Sequence, residues 1–297
     1  MVFLEKFVGE TLGLTKFPPY LNTFYAAFVG FTILHLVIAP WASARWFPVA
    51  YGGKGRAAKN NWSIHVVSQA HVLIVVPYAL YCIITQVPVV GEDRAFGFDP
   101  AVGHVHAIAA GYFLWDTLDA IFNFIDPGFV AHGVACFAIY TMSYKPFVAY
   151  YGTRCLLWET STFFLNIHWF MDKTGRTGSR AQLINGALLV SSFFFVRIVY
   201  GGTISVQFFI TLIRYRSRIP LLYALVYGAG NFVLQGLNVF WFYKMLLSLR
   251  KRFDGSDAPT ATPGEGNGVT RAVVGDAEAQ DQGREHEEER QPLLAHD

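Results

Sequence analysis

Residues 182–212 read QLINGALLVSSFFFVRIVYGGTISVQFFITL, thirty-one residues with one ionisable side chain, Arg197. The hydrocarbon core of a bilayer is about 30 Å thick and takes about 20 mostly apolar residues to cross as a helix. A helix also satisfies its own backbone groups, which lipid cannot do. At about 1.5 Å per residue this run exceeds one straight crossing. Gly201-Gly202 is expected to mark a break or kink within it.

Working outward, six further runs meet or approach the same requirement, at about 22–41, 64–87, 105–125, 128–144, 147–170 and 221–247. The expected fold is an all-α integral membrane protein with about seven transmembrane helices. Residues 1–21, with Pro18-Pro19, are expected to lie along the interface ahead of the first span. Glu5, Lys6, Glu10 and Lys16 interrupt any apolar core there, so the first span is read as an uncleaved anchor.

Composition agrees with a lipid solvent. The chain is 53% hydrophobic and only 15% charged, against roughly 25% charged in soluble domains. Residues 1–252 carry 20 Lys+Arg against 10 Asp+Glu, whereas 253–297 carry 3 against 11, so a basic apolar body precedes an acidic end. The basic residues fall in short clusters between apolar runs, which suits anionic headgroups and argues against nucleic acid. After Phe253 large apolar side chains nearly vanish, and the segment is read as a disordered tail. Three units result: 1–59 with the first span and a loop, 60–247 as the membrane body, and 248–297 as a basic junction with the acidic tail. No internal repeat, phosphate loop or nucleophile elbow is evident.

Lys and Arg in the short loops set orientation. Seven spans place ten such residues on the side shared with the tail and seven on the other, so the C-terminus is expected to be cytosolic. Cys82, Cys136 and Cys155 all lie in apolar runs and read as buried thiols, neither a disulfide framework nor a metal pair.

An ionisable group within a span costs at least about 2.5–3.5 kcal/mol, so it normally faces a partner or a water-filled cavity. The third span carries Asp116 and Asp119 at i, i+3, on one face with Tyr112 and Asn123. The fourth carries His132, the fifth Arg154, Glu159, Asn166 and His168, and the sixth Asn185 and Arg197. Singly, each could be a structural bridge between helices. Together they outnumber what helix packing requires, so Asp116, Asp119, His132 and Glu159 are expected to line one polar zone with Arg197 as counter-charge. His132 would hydrogen-bond a carboxylate there. His65, His71, His104 and His106 lack the H-x-x-x-H spacing of a metal site, and no metal is expected. Phe193-Phe194-Phe195 and Phe240-Trp241-Phe242-Tyr243 read as lipid-facing or interfacial surface.

Five stretches, in order, resemble the TLC-domain proteins, which include the ceramide synthases. These are Trp62-Ser63-Ile64-His65, Gly111-Tyr112-Phe113-Leu114-Trp115-Asp116, Trp158-Glu159-Thr160-Ser161-Thr162-Phe163-Phe164-Leu165-Asn166, Asn185-Gly186 with Arg197-Ile198, and Leu237-Asn238 with Trp241-Phe242. Phe163 replaces the Pro of the family's third motif. The resemblance implies a six-helix barrel around an acyl-chain-sized cavity, often preceded by one extra helix. In the ceramide synthases a paired His-His carries acyl transfer from acyl-CoA to a long-chain base. Here His132 matches one of the two and Gly133 stands where the other belongs.

The resemblance therefore implies a lipid-homeostasis protein binding an acyl chain or membrane lipid, with Glu159, Asn166, Asn185 and Arg197 as the polar network of its cavity. The alternative is an acyltransferase using His132, Asp116 and Asp119, with acyl-CoA as substrate and no bound cofactor. A transporter is a third reading, though paired broken helices are lacking. The endoplasmic reticulum is the expected compartment. Near the C-terminus, Glu289 with Leu293-Leu294 resembles an acidic dileucine signal for a clathrin adaptor, which would point to vacuole or endosome instead.

Overall fold

The computed structural model describes residues 5–145 and 147–253. The acidic tail, with Glu289, Leu293 and Leu294, lies outside them. The described residues form seven long helical segments and no strand: α1 (Pro18–Trp46), α2 (Arg56–Ile84), α3 (Pro100–Phe122), α4 (Pro127–Met142), α5 (149–173), α6 (Arg180–Arg214) and α7 (Leu221–Phe253). Each run read from the sequence corresponds to one of them.

Of these, α1, α2, α6 and α7 are long and apolar enough to cross a membrane, and α4 is a shorter apolar helix. α3 is built for a different environment. It packs against α1, α2 and α4, and Val105, His106, Ala107, Ala109 and Ala110 along it are 0% exposed. A helix shielded from lipid on most sides can carry His and Asp that a lipid-facing helix could not.

Local sequence explains where several helices start. Asp99 and Asp126 each stand immediately before a proline and cap the helix that follows. Asp99 accepts hydrogen bonds from the Ala101 and Val102 amides, and Asp126 from that of Gly128. Proline at the first helical position gives up an amide that would lack a partner there anyway. Ser179 likewise caps α6 by accepting from the Gln182 amide.

Three helices contain a turn of altered pitch. In α1 a wide π-helical stretch, Leu34–Ile38, ends two residues before Pro40. Proline removes one amide and crowds the carbonyl four residues back, and a widened turn accommodates both. In α5 the stretch Leu156–Glu159 tightens to a 3-10 turn. In α6 the wide turns span Phe194–Tyr200, and the chain continues as α-helix from Gly201. The Gly201-Gly202 pair therefore does not break the helix. The irregularity lies one turn earlier, where Arg197 reaches into the bundle.

Small residues set how closely the helices approach. At Gly111 an added Cβ would lie 2.7 Å from the Phe24 carbonyl oxygen and 2.9 Å from the Phe28 nitrogen, so α1 and α3 touch through backbone. Close approach of this kind drives helix association in lipid, where burial of apolar surface contributes little. Before α1, Phe17 stacks on Tyr144 with ring centroids 4.3 Å apart, which fastens the N-terminal segment to the bundle.

Candidate functional site

Between α2, α3, α4, α5, α6 and α7 lies a cavity of about 170 Å³. Its wall includes Asp116 and Asp119 from α3, His132 from α4, Glu159 and Asn166 from α5, and Arg197 from α6. Tyr112, Asp116, Asp119 and Asn123 all reach it, as their common face on α3 requires. The remaining wall is largely apolar and aromatic, with Phe113, Phe129, Leu165 and Met245 among its members. The site is thus a greasy chamber with charged groups concentrated on part of its surface. Asn185 is not among the lining residues; its side-chain amide donates to the Phe164 carbonyl at 2.9 Å and ties α6 to α5.

Arg197 is fully engaged. Its Nη2 donates to Glu159 Oε1 at 3.2 Å and to Thr162 Oγ1 at 3.0 Å. Nε donates to Ser161 Oγ and to the Trp158 carbonyl, and Nη1 to Asn238 Oδ1 at 3.1 Å. One guanidinium therefore joins α5, α6 and α7 and offsets the charge of Glu159. A buried pair survives desolvation when further hydrogen bonds support it, and every nitrogen of this guanidinium has at least one acceptor.

Asp119 is held by neutral donors instead. Asn123 Nδ2 donates to Asp119 Oδ1 at 2.9 Å, and Asn60 Nδ2 reaches the same carboxylate at 3.3 Å. Asn60 is positioned in turn by His35 of α1. The Trp115 indole, which can only donate, gives its proton to His35 Nδ1 at 3.1 Å. That fixes Nδ1 as an acceptor and places the ring proton on Nε2, which donates to Asn60 Oδ1 at 2.8 Å. His35 Nδ1 also lies 3.8 Å from Asp119 Oδ1. With Nδ1 occupied by the indole proton, that contact is not an ion pair.

His132 makes apolar contacts. Its ring lies edge-on to Phe113 and Trp241, with centroids 5.8 Å and 5.6 Å away, and Cys136 Sγ sits 3.9 Å from Nε2. The expected hydrogen bond to a carboxylate is not formed among the described residues. The imidazole faces the chamber without being committed to an acid. Beside it, an added Cβ at Gly133 would lie 2.7 Å from Thr117 Oγ1 and 3.1 Å from both Asp116 Oδ2 and Thr117 Cα. Thr117 Oγ1 already donates to the Phe113 carbonyl at 2.6 Å, so it cannot turn away without losing that bond.

Other expectations are corrected by the packing. Phe193 is buried and lines the chamber with Trp241, whereas Phe195, Phe240 and Tyr243 point outward as expected of lipid-facing aromatics. His65 also lines the cavity, stacked on Trp169 at 4.0 Å. His35 and Asn60 went unnoticed in the sequence. Apart from Tyr25, His35 is the only ionisable side chain in the run 22–41, and the cost of burying such a group was the signal that could have found it. Among the described residues no three His, Cys, Asp or Glu side chains are grouped to hold a metal ion.

The sequence model of the TLC domain matches residues 61–247, more than half of the chain. The chain belongs to the TLC-domain family. An uncharacterized TLC domain-containing protein of Schizosaccharomyces pombe is 35% identical, over 87% of this chain and 90% of its own length. TLC domain-containing protein 4 of Homo sapiens is 30% identical over 74% and 85%, respectively. Topoisomerase I damage affected protein 4 of Saccharomyces cerevisiae is 26% identical over 78% and 85%. All the cavity-lining residues fall within the matched region, while Asn60 lies one residue before it and His35 well before it, on α1.

Proposed function

We propose that this TLC-domain protein takes an acyl chain or lipid into the chamber and influences membrane lipid composition, without acyl transfer of the ceramide-synthase kind. The observation that carries this reading is the contact at Gly133. The ceramide-synthase pattern needs a second imidazole at that position, and even a single carbon there meets Thr117 and Asp116. Inserting extra atoms into a packed interior typically costs about 1–3 kcal/mol. The chamber itself suits an amphiphile, since its apolar wall accepts hydrocarbon and its charged patch accepts a polar head. The basic loop balance and the family resemblance favour the endoplasmic reticulum with a cytosolic tail.

A second reading rests on His132 sharing the chamber with Asp116 and Glu159. There a neutral imidazole would take the proton of an amine as that amine attacked the thioester of an acyl-CoA, and return it to the sulfur as the carbon–sulfur bond breaks, releasing coenzyme A as the thiol and leaving the amide. One experiment separates the two. The full chain is purified in mild detergent, co-purified lipid is identified by mass spectrometry, and the protein is then incubated with acyl-CoA and a long-chain amine. On the binding reading the native protein retains lipid, His132→Ala changes the retained amount by no more than about threefold, below the roughly 1 kcal/mol that one hydrogen bond contributes, and no amide product forms. Product formation that His132→Ala abolishes would replace this reading with the enzymatic one. Absence of any retained lipid would remove it.

A further inference from the structure

The far end of α2 presents a different chemistry. Ser68 at the cavity and Ile84 at the helix terminus are about 24 Å apart along the axis, at about 1.5 Å per residue. Beyond Ile84, two guanidinium groups share one aromatic ring. Arg154 lies 3.4 Å and Arg94 5.1 Å from the centroid of Tyr150, so their charges are at most about 8.5 Å apart. That is near the screening length at physiological salt, and the two repel each other.

Each arginine is held by neutral oxygens only. Arg154 Nη2 donates to Gln86 Oε1 at 2.8 Å and Nη1 to the Tyr150 carbonyl at 3.1 Å. Arg94 Nη1 donates to Gln207 Oε1 at 3.4 Å. Gln86 depends on Gly91, where an added Cβ would lie 2.5 Å from its Nε2. Asp93, adjacent to Arg94, is turned toward the Ala95 and Phe96 amides, which both donate to its Oδ1. Neither guanidinium has a carboxylate at ion-pair distance among the described residues. The contrast with Arg197, whose charge is offset by Glu159, is direct. A guanidinium has five N–H donors, so both arginines keep several unused while their positions are fixed by side chains from three parts of the fold.

We propose that Arg94 and Arg154, gathered about Tyr150, form a binding site for a phosphate group, carried either by a membrane lipid or by a soluble phosphate. Two guanidiniums fixed close together without a counter-ion match a phosphate's clustered oxygens and its negative charge. The site is separate from the chamber and does not depend on the function assigned to it.

The test uses the full chain in nanodiscs of phosphatidylcholine containing phosphatidic acid. Native mass spectrometry counts each lipid retained after release from the disc. The native protein is expected to retain phosphatidic acid over phosphatidylcholine, and Arg94→Gln and Arg154→Gln each to reduce that preference roughly tenfold, the scale of one charge-assisted hydrogen bond. Arg94 is exposed, so its substitution leaves folding intact and keeps the test decisive even where Arg154→Gln is unstable. If inorganic phosphate displaces the bound lipid, the phosphate alone is recognised; if it does not, the lipid is required; both outcomes uphold the site. Equal retention of the two lipids by the native protein together with no binding of inorganic phosphate, or an unchanged preference in Arg94→Gln, would overturn it.

Discussion

The two halves of α3 handle buried polarity in opposite ways. In the N-terminal half, His106 is 0% exposed, with Nδ1 2.9 Å from Ser143 Oγ and Nε2 3.1 Å from Thr153 Oγ1. Both ring nitrogens touch hydroxyl oxygens whose own protons go to the Tyr140 and Ala149 carbonyls, and an added Cβ at Gly152 would lie 2.9 Å from the ring, so little space is left beside it. In the C-terminal half, Asp116 and Asp119 face a chamber, with Asp119 held from behind by amides and Asp116 against Gly133. A polar side chain closed off by its neighbours serves packing, whereas one braced from behind and open in front serves a ligand. The distinction is made by what surrounds each group, since residue type and burial alone would rank His106 as the stronger candidate.

The largest effect on this contrast is expected from Arg197→Met. It strands Glu159 in the bundle and removes links to Asn238, Ser161 and Thr162. Breaking one partner of a buried ion pair costs about 3–5 kcal/mol, so the thermal midpoint in detergent should fall sharply. The double variant with Glu159→Gln should recover part of that loss. No recovery would mean that the guanidinium's value lies in its neutral contacts.

A smaller loss, about 1–3 kcal/mol, is expected from Gly133→Ala, measured as unfolding in the same detergent. Gly202→Ala, where nothing lies within 4 Å of the added carbon, is the control and should be neutral. If the two behave alike, α4 can withdraw from α3 freely and the argument from Gly133 fails. A smaller effect, about 0.5–1.5 kcal/mol, is predicted for His106→Leu, which removes the hydrogen bond donated by the ring while the Ser143 and Thr153 hydroxyls keep their carbonyl partners. Lipid retained in the chamber should not change. A change would show that the two halves of α3 are not separate in function.

Much of this was legible in the sequence, and the omissions have physical causes. The positions of the seven helices follow from their apolar runs, and lipid's demand for length and composition is met in full by α1, α2, α6 and α7. Convergence of Asp116, Asp119 and Glu159 follows from the cost of leaving acids in hydrocarbon. The inward turn of Phe193 and Trp241 does not follow, because a helix apolar all round carries no amphipathic signal of which face is inside. The Trp115–His35–Asn60–Asp119 chain joins residues up to 80 positions apart, and its register depends on how α1 settles against α3 at Gly111, which no local pattern encodes. His132 fell in the expected place with unexpected neighbours for the same reason.

That chain has a direction. Tryptophan gives a hydrogen and accepts none, so the sequence of bonds starts at Trp115, runs through His35 and Asn60, and stops at Asp119. A proton cannot be handed through a line whose first member has none to spare and no lone pair to receive another. The line is consequently a brace and not a wire: it aims the carboxylate without relaying a proton to it from Trp115. An occupant of the chamber therefore meets a carboxylate already aimed at it, held in place before anything binds.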